Sequence, residues 1–546
     1  MPVFELTGET PVPLQNMMNL RLKLSPAGLE LEVAAGTRLQ DVLFAQGVEF
    51  PCGGRGRCKG CRVKVLDGSL SVTTDEKHLL SLAEIENGWR RACRHSIAAD
   101  LELELAQWEA AILSDQSSFS FTPREGLGIA IDLGSTTIAA QLLDLQTGNV
   151  LAVQTGLNAQ ARHGGDVMSR VEFALHGGQM KLQRLVREQL GGMVAQLLAA
   201  ACKTRGSRGN EAPTQIGNRQ SAIGNQFEPP HVGCYDAKKL SRVVIVGNTV
   251  MHHLFCGVNV APLGASPFQP EQPGRFQFSP RELGWDLPAS AVVEFLPCLG
   301  GFVGSDILAG IFAIGLHESR ELTALLDLGT NGEVVVGHRE KILCTSTAAG
   351  PAFEGARIGQ GMRAATGAIC EVRVEDNFLS CRVIGGGEAR GLCGSGLVDA
   401  VAAGLEMEWI HPSGRMANRR ELPLAGDVKL LASDVRELQL AKGAIAAGLK
   451  ILATNFSATV NDLQQVYLAG AFGNYISRAS AQKIGLLRMP LNRVVPAGNT
   501  ALLGAKMALF GDAEKWDAVA RRVQSVSLNE DEAFQDIYAE EMRFPG

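Results

Sequence analysis

The chain has 546 residues, 46% of them hydrophobic and 5% aromatic, with 62 glycines and a formal net charge of −6. That length implies roughly two to four domains with real cores, and the mild negative charge excludes a global pull towards nucleic acid or an anionic membrane. The opening "MPVFELTGETPVPLQNMMN" has no secretory apolar core, and no stretch is apolar enough for a membrane span, so a cytoplasmic protein is expected.

Residues 1–17 read as a flexible N-terminus. From residue 18 to 106 the pattern is that of a small mixed domain. "LRLKLSPAGLELEV" alternates as two strands around a turn, and "RLQDVLFAQG" follows as a helix. "CRVKVLDGSL" and "DLELEL" alternate again further on. Between helix and third strand lies "CGGRGRCKGC", with Cys52, Cys58 and Cys61; Cys93 follows in "RRACRH". A structural zinc site usually takes two close cysteine pairs. Three close cysteines plus one distant cysteine suit a 2Fe–2S cluster, with zinc and inert thiols as alternatives. Gly53, Gly54, Gly56 and Gly60 let the loop fold tightly around the sulfurs. Arg55, Arg57, Lys59, Arg62, Lys64, Arg90, Arg91 and Arg94 form either a docking face for an acidic partner or a solvated rim. The scattered Cys202, Cys234, Cys256, Cys298, Cys344, Cys370, Cys381 and Cys393 read as small buried hydrophobes.

Residues 107–125 read as a Ser- and Pro-containing linker, and 126–240 as a middle region with a polar surface insertion at 203–239. In this region "GIAIDLGSTTIAAQLLDLQTGNVL" is a strand, a turn and two more strands. In the C-terminal region, 241–512, "ALLDLGTNGEVVVGHREKILCTST" repeats the unit. Each copy is followed by a buried strand ending in glycine, "VVIVGNTVMHH" and "VYLAGAFGNYI". From Asp132 to Gly247 is 115 residues and from Asp327 to Gly470 is 143, a long-period duplication. Residues 513–546 read as a C-terminal tail.

Two such turns can face each other across a cleft. Gly134, Gly329 and Gly332 permit close backbone approach to phosphate, while Ser135, Thr136, Thr137, Thr330 and Asn331 offer donors. Asp132 and Asp327 end strands where they can hold Mg²⁺ through water. A nucleotide's sugar and base would lie on Gly470, Ala471 and Gly473. Gly394 and Ser395 open a helix that either meets the nucleotide or packs tightly. Glu333 either orients water or Mg²⁺ or is a strand-edge carboxylate. Glu354 and Arg357 stand in a glycine-rich loop that is either near the cleft or ordinary structure. Lys442, on the long helix "SDVRELQLAKGAIAAGLKILATNF", either approaches adenosine or is solvated. The pattern resembles the actin, sugar-kinase and Hsp70 superfamily, so the expected fold is a β-grasp ferredoxin followed by a duplicated actin-like (ribonuclease H-like) ATPase core.

The pairing of modules, together with "GGDVMSRV", "VGNTVMHHL", "GFVGSD", "STAAGPAFEGARIGQGMRA", "GLCGSGLVDA" and "LAGAFGNYI", resembles the ATP-dependent reductive activators of corrinoid proteins over about residues 18–512. The resemblance implies an ATP-hydrolysing reductive activase that returns Co(II) to Co(I) through a 2Fe–2S cluster. It implies Asp132, Asp327 and Glu333 as catalytic residues, ATP and Mg²⁺ as cofactors, and a corrinoid methyltransferase or corrinoid protein as partner. A flavoprotein or ferredoxin would supply electrons, and a homodimer is a candidate assembly. The competing readings are a small-molecule kinase with an accessory ferredoxin, and a plain electron carrier whose ATPase-like half only docks.

Overall fold

The structure is a computed structural model that describes residues 19–25, 28–46, 48, 50, 54, 56, 61–105, 117, 119–203, 237–329, 331–355, 357–417 and 420–546. The N-terminus at 1–17, Cys52, Cys58, Thr330 and most of the polar insertion lie outside the described residues. The chain forms two compact units with a border at 108/109.

Alternation builds the first unit. Leu22 and Leu24 of β1 (Asn19–Ser25) and Leu101, Leu103 and Leu105 of β5 (Leu101–Leu105) turn into one core. The sheet order is β2-β1-β5-β3-β4, with β2 at Leu29–Ala34, β3 at Arg62–Asp67 and β4 at Trp89–Arg91. Strand β1 runs parallel to β5, and helix α1 (Leu39–Ala45) buries Leu39, Leu43 and Phe44, as in a β-grasp. Two short helices, α2 (Thr74–Leu79) and α3 (Leu82–Glu86), were not anticipated. Both open on a capping box, Thr73 with Glu76 and Ser81 with Glu84, a signal present in "TTDE" and "SLAE".

The first half of the second unit begins with the antiparallel meander β6 (Leu127–Leu133), β7 (Thr137–Asp144) and β8 (Val150–Leu157). Helices α4 (Val167–Phe173) and α5 (Gln179–Lys203) lead to β9 (Leu240–Gly247), which pairs parallel with β6. Helix α6 (Thr249–Cys256), β10 (Phe276–Phe278), α7 (Pro280–Leu283) and β11 (Val292–Phe295) complete the sheet β10-β11-β9-β6-β7-β8. Helix α8 (Ser305–Ala313) then crosses to the second half.

That half repeats the meander as β12 (Thr323–Leu328), β13 (Gly332–His338) and β14 (Lys341–Thr347). Inserted after it are β15 (Ala368–Glu375), β16 (Phe378–Val383), β17 (Gly391–Leu392), α9 (Gly394–Glu406), the hairpin β18 (Glu421–Ala425) and β19 (Val428–Leu431), and α10 (Ala432–Thr454). Strand β20 (Gln465–Ala469) pairs parallel with β12, as β9 does with β6. After α11 (Gly470–Tyr475) and α12 (Arg478–Lys483) come β21 (Val494–Gly498), α13 (Thr500–Phe510), α14 (Ala513–Arg522), β22 (Val523–Ser525) and α15 (Phe534–Met542). The sheet order is β21-β20-β12-β13-β14-β22.

A shared core joins the halves: Ala130, Val244 and Val246 from the first sheet, Leu325 and Val335 from the second, and Ile307, Ile311, Leu502 and Leu509 from α8 and α13. Those helices touch backbone to backbone. A Cβ on Gly504 would lie 2.3 Å from the Ala309 carbonyl oxygen.

Three boundaries differ from expectation. Residues 241–319 belong to the first half, because β9 and β11 hydrogen-bond into its sheet. Residues 513–546 are no tail: β22 pairs with β14, and Trp516 stacks on Phe312 at 3.7 Å between ring centroids. The end of the linker is fastened, with Phe119 and Phe121 against Phe510 and the Lys506 ammonium donating to the Ser117 carbonyl at 3.4 Å. No helix among the described residues is long and apolar enough to cross a membrane.

Candidate functional site

The two duplicated turns open into one cleft of about 270 Å³ between the halves. From the first half it is lined by Asp132 at the end of β6, Gly134, Ser135, Thr136 and Thr137, and from the second by Asp327 at the end of β12, Gly329, Asn331 and Glu333. The N-terminus of α9 contributes Gly394 and Ser395, and β20–α11 contributes Gly470. Helix α9 has Cys393 at its N-cap with no side-chain capping bond, so its first N–H groups are available to an acceptor. Ser395 directs its hydroxyl away, to the Cys370 carbonyl at 2.9 Å. Gly470 is required twice over: its φ is +80°, and a Cβ there would lie 2.6 Å from Asp327 Oδ1.

Four carboxyl groups dominate the cleft's electrostatics. Burial pushes Asp132 up to about 6, partly offset by the bond it accepts from Asn499 Nδ2 at 3.0 Å. Burial and then the Asp132 charge push Asp327 up to about 7. Asp306, in the first turn of α8, rises to about 8 through burial and the charges of Asp327 and Asp132. Burial, Asp306 and Asp327 carry Glu333 well above the usual carboxylate range, against a bond donated by the Ser346 hydroxyl at 3.3 Å. Mutually repelling, partly desolvated carboxylates stabilise an incoming cation.

Three expected contacts do not line the cleft. Gly332 opens β13, and a Cβ there would meet Ile445 and Thr347, so its smallness serves packing. Gly473 of α11 has Leu468 of β20 beside it, and the Ala471 side chain lies outside the described residues. Lys442 is neither solvated nor near the cleft: it is fully buried, donates to the Arg543 carbonyl at 2.6 Å and lies over the Phe544 ring. Arg357 is exposed with φ +62°, whereas Glu354 does line the cleft. Sequence reasoning missed Asn248, Asp306, Arg363 and Asn499 as cleft residues. Asn499 caps α13, accepting from the Leu502 N–H at 2.8 Å, while its amide crosses to Asp132 in the other half. The "GN" at the end of β21 carried the capping signal, but not the partner.

In the first unit Cys61 and Cys93 are both nearly buried, and the Ala92 N–H donates to the Cys61 carbonyl at 2.9 Å, so the two cysteine-bearing segments run side by side. Four of the arginines around them have partners within the unit. Arg62 pairs with Glu84, and Arg94 pairs with Asp75. Arg90 donates to the carbonyls of Leu70, Ile85 and Trp89, and fully buried Arg91 donates to the Gly56 carbonyl in the cysteine loop. The expected docking face or rim therefore loses buried Arg62 and Arg91 and half-buried Arg90, while Arg94 stays exposed beside Asp75. Glu76 is buried, yet its bonds to His95, Arg91 N–H and Thr73 N–H outweigh burial and hold it at about 2. Of the scattered cysteines, Cys298, Cys344 and Cys393 are buried and Cys256, Cys370 and Cys381 half-buried. Cys234 lies outside the described residues, and Cys393 also lines the cleft.

Residues 22–98 match the family described as a 2Fe-2S iron-sulfur cluster binding domain. Residues 127–207 and 232–319 match the RACo middle region, and residues 321–546 the C-terminal domain of RACo, the ASKHA domain. The class is thus an iron–sulfur electron-transfer module joined to an actin-like ATPase core. The chain is 33% identical over 445 residues to the corrinoid activation enzyme RamQ of Eubacterium limosum, covering 75% of this chain and 69% of that one. It is 25% identical over 456 residues to the Co(II) methylated amine-specific corrinoid protein reductase of Methanosarcina barkeri, covering 76% and 77%. A solved reductive activator for corrinoid, iron-sulfur protein shares the fold, with a TM-score of 0.63 at 24% identity over 96% of this chain and 98% of that one. The chain belongs to the family of corrinoid activation enzymes.

Proposed function

We propose that this enzyme returns an electron to a corrinoid protein whose cobalt has lapsed from Co(I) to Co(II), and that ATP in the cleft drives the exchange. The observation that carries the reading is the union in one chain of a cysteine-bearing β-grasp unit and a carboxylate-rich cleft between duplicated halves. Cys52, Cys58, Cys61 and Cys93 would hold the 2Fe–2S cluster, which supplies one-electron transfer when bound. The near-burial of Cys61 and Cys93, and the positive φ of +73° at both Gly54 and Gly56, fit a loop wrapped tightly around sulfur.

For the nucleotide, the first turn at Gly134–Thr137, the second turn at Gly329 and Asn331, and the open N–H groups of α9 supply phosphate donors. Among the described residues no three His, Cys, Asp or Glu side chains form a ready metal site. Asp132 and Asp327 would accordingly hold Mg²⁺ through water, with phosphate oxygens completing the shell. Once a cation offsets the neighbouring carboxylates, Glu333 can deprotonate. Its burial then makes it a stronger base, suited to orienting a water. ATP binding can displace a redox equilibrium only by favouring one cobalt state of the partner over the other. Hydrolysis would then release the partner. A flavoprotein or ferredoxin would reload the cluster. Cytoplasmic action and a homodimer belong to the same proposal; sedimentation checks the latter.

The test is to mix the enzyme with a Co(II) corrinoid protein and a low-potential reductant, with and without MgATP, and follow the Co(II) absorption. Loss of Co(II) only with ATP, and ATP hydrolysis stimulated by the corrinoid protein, are expected. Phosphate transfer to a sugar or acid would establish the kinase reading instead.

A further inference from the structure

Arg170 is fully buried behind the first phosphate turn, on α4 in the "GGDVMSRV" stretch. Its Nη2 donates to the Ser135 carbonyl, its Nε to the Gly164 carbonyl at 2.9 Å, and its Nη1 reaches Gln160 Oε1 and Met251 Sδ, both at 3.4 Å. Its acceptors are carbonyl, amide and thioether groups, not a carboxylate. The neighbouring carbonyls of the turn are held from the same protein interior. Asn158 Nδ2 donates to Gly134 at 2.9 Å, and the Asn158 N–H donates to Thr136 at 2.8 Å. Asn248 Nδ2 donates to the Ser135 hydroxyl at 2.8 Å.

This arrangement fixes the polarity of the turn. A trans peptide sets each N–H opposite the preceding carbonyl. With the Gly134 and Ser135 carbonyls drawn inward, the N–H groups of Ser135 and Thr136 turn the other way, and both residues line the cleft. A buried guanidinium is costly without an anion. Burial presses Arg170 down to about 9, and the carboxylate of Asp166, which raises it, already caps α4 by accepting from the Ser169 N–H. An anionic phosphate on the far side of the turn would offset that charge through one peptide layer.

We propose that Arg170 is the positioning residue of the first phosphate turn, aiming the Ser135 and Thr136 N–H groups at the nucleotide's phosphates and supplying the positive potential that favours them. The proposal rests on the nucleotide reading of the cleft. It names the phosphates, and not the adenosine, as the part of the ligand that Arg170 serves.

The test uses the full chain with its cluster. MgATP and adenosine are titrated calorimetrically into wild type, Arg170→Met and Arg170→Lys. Arg170→Met should bind MgATP at least about tenfold more weakly, with adenosine affinity unchanged. Arg170→Lys, which keeps the charge but not the fork, should recover part of the loss. Equal weakening of both ligands would reduce Arg170 to a structural residue, and unchanged MgATP binding in a folded Arg170→Met protein would overturn the proposal while leaving the nucleotide cleft standing. Should Arg170→Met fail to fold, the ratio of the two affinities in Arg170→Lys decides: a ratio equal to wild type overturns the proposal. Wild type that binds no MgATP would overturn the cleft reading and this proposal together.

Discussion

The two halves of the ATPase unit carry the same strand–turn–strand element and, among the described residues, hold it with different side chains. The first turn is gripped from behind by side chains of other elements: Asn158 after β8, Arg170 on α4 and Asn248 before α6. Among the described residues, the second is held by its own turn and by the third strand of its meander. The Gly329 N–H donates to the Asn331 carbonyl at 3.1 Å, and the Thr347 hydroxyl of β14 donates to the Gly332 carbonyl at 2.9 Å. The hairpin persists in both copies because strand pairing dictates it. The supports diverge because different helices cover each sheet. The carboxyl groups diverge too. Asp132 stands on the first half, Asp327 and Glu333 on the second, and Asp306 on the helix that crosses between them.

The sharpest way to break the comparison is to remove one carboxylate from each half. Asp132→Asn and Asp327→Asn should each lower ATP hydrolysis on the order of 100-fold, because both act on the same developing charge. Steady-state phosphate release measures it. A large effect from one half only would mean that the turns are not functionally paired. Next in size, Gly470→Ala forces a side chain into positive φ and against Asp327 Oδ1. A loss of about 1–3 kcal/mol is expected in chemical denaturation. The equivalent position in the first half, Gly247, lacks positive φ but would meet the Leu133 carbonyl at 2.6 Å, so Gly247→Ala tests whether space or conformation matters more.

Asn499 links the halves directly. Asn499→Ala loses both the α13 cap and the bond to Asp132, a cost of about 1–2 kcal/mol. Asn499→Asp keeps the cap but sets a further acid against Asp132. If the cross-cleft bond matters, Asn499→Asp is therefore also less stable than wild type, and more so at pH 8 than at pH 5. Calorimetric Tm values at both pH settings decide between cap and bridge.

The smallest effect is the pH dependence of the ligand-free protein. Asp132, Asp327 and Asp306 have folded-state values raised to about 6, 7 and 8. The folded state therefore keeps protons that the unfolded chain has already lost. Their contribution to stability is full below the ordinary carboxylate range and falls as pH rises through those values. The Tm should decline from pH 5 to pH 8, and MgATP should raise it more at pH 8 than at pH 6. A Tm that climbs over this interval would contradict the carboxylate cluster.

The legible parts of this protein were those with local periodicity or a repeated motif. Alternation in "LRLKLS" and "DLELEL" marked strands whose leucines fill one core, and "DLGSTT" and "DLGTNG" marked turns that reach one cleft. Lys442 was not legible: its burial depends on Arg543 and Phe544, 101 and 102 residues away, which no local pattern records. Arg62, Arg90 and Arg91 looked like a charged rim because sequence shows charge but not the carbonyls and carboxylates that consume it.

By itself the sequence determined the two modules, the duplication and the residue types at each turn, because strand alternation, glycine and cysteine spacing are short-range properties. Only the tertiary structure decided which groups meet. It drew Asp306 and Asn499 to the first half's Asp132, folded residues 513–546 into the second sheet and its helices, and set Arg170 behind the phosphate turn. The reason is physical: long-range contacts follow from how sheets and helices stack their apolar faces, and that packing carries polar side chains to partners that lie far away along the chain.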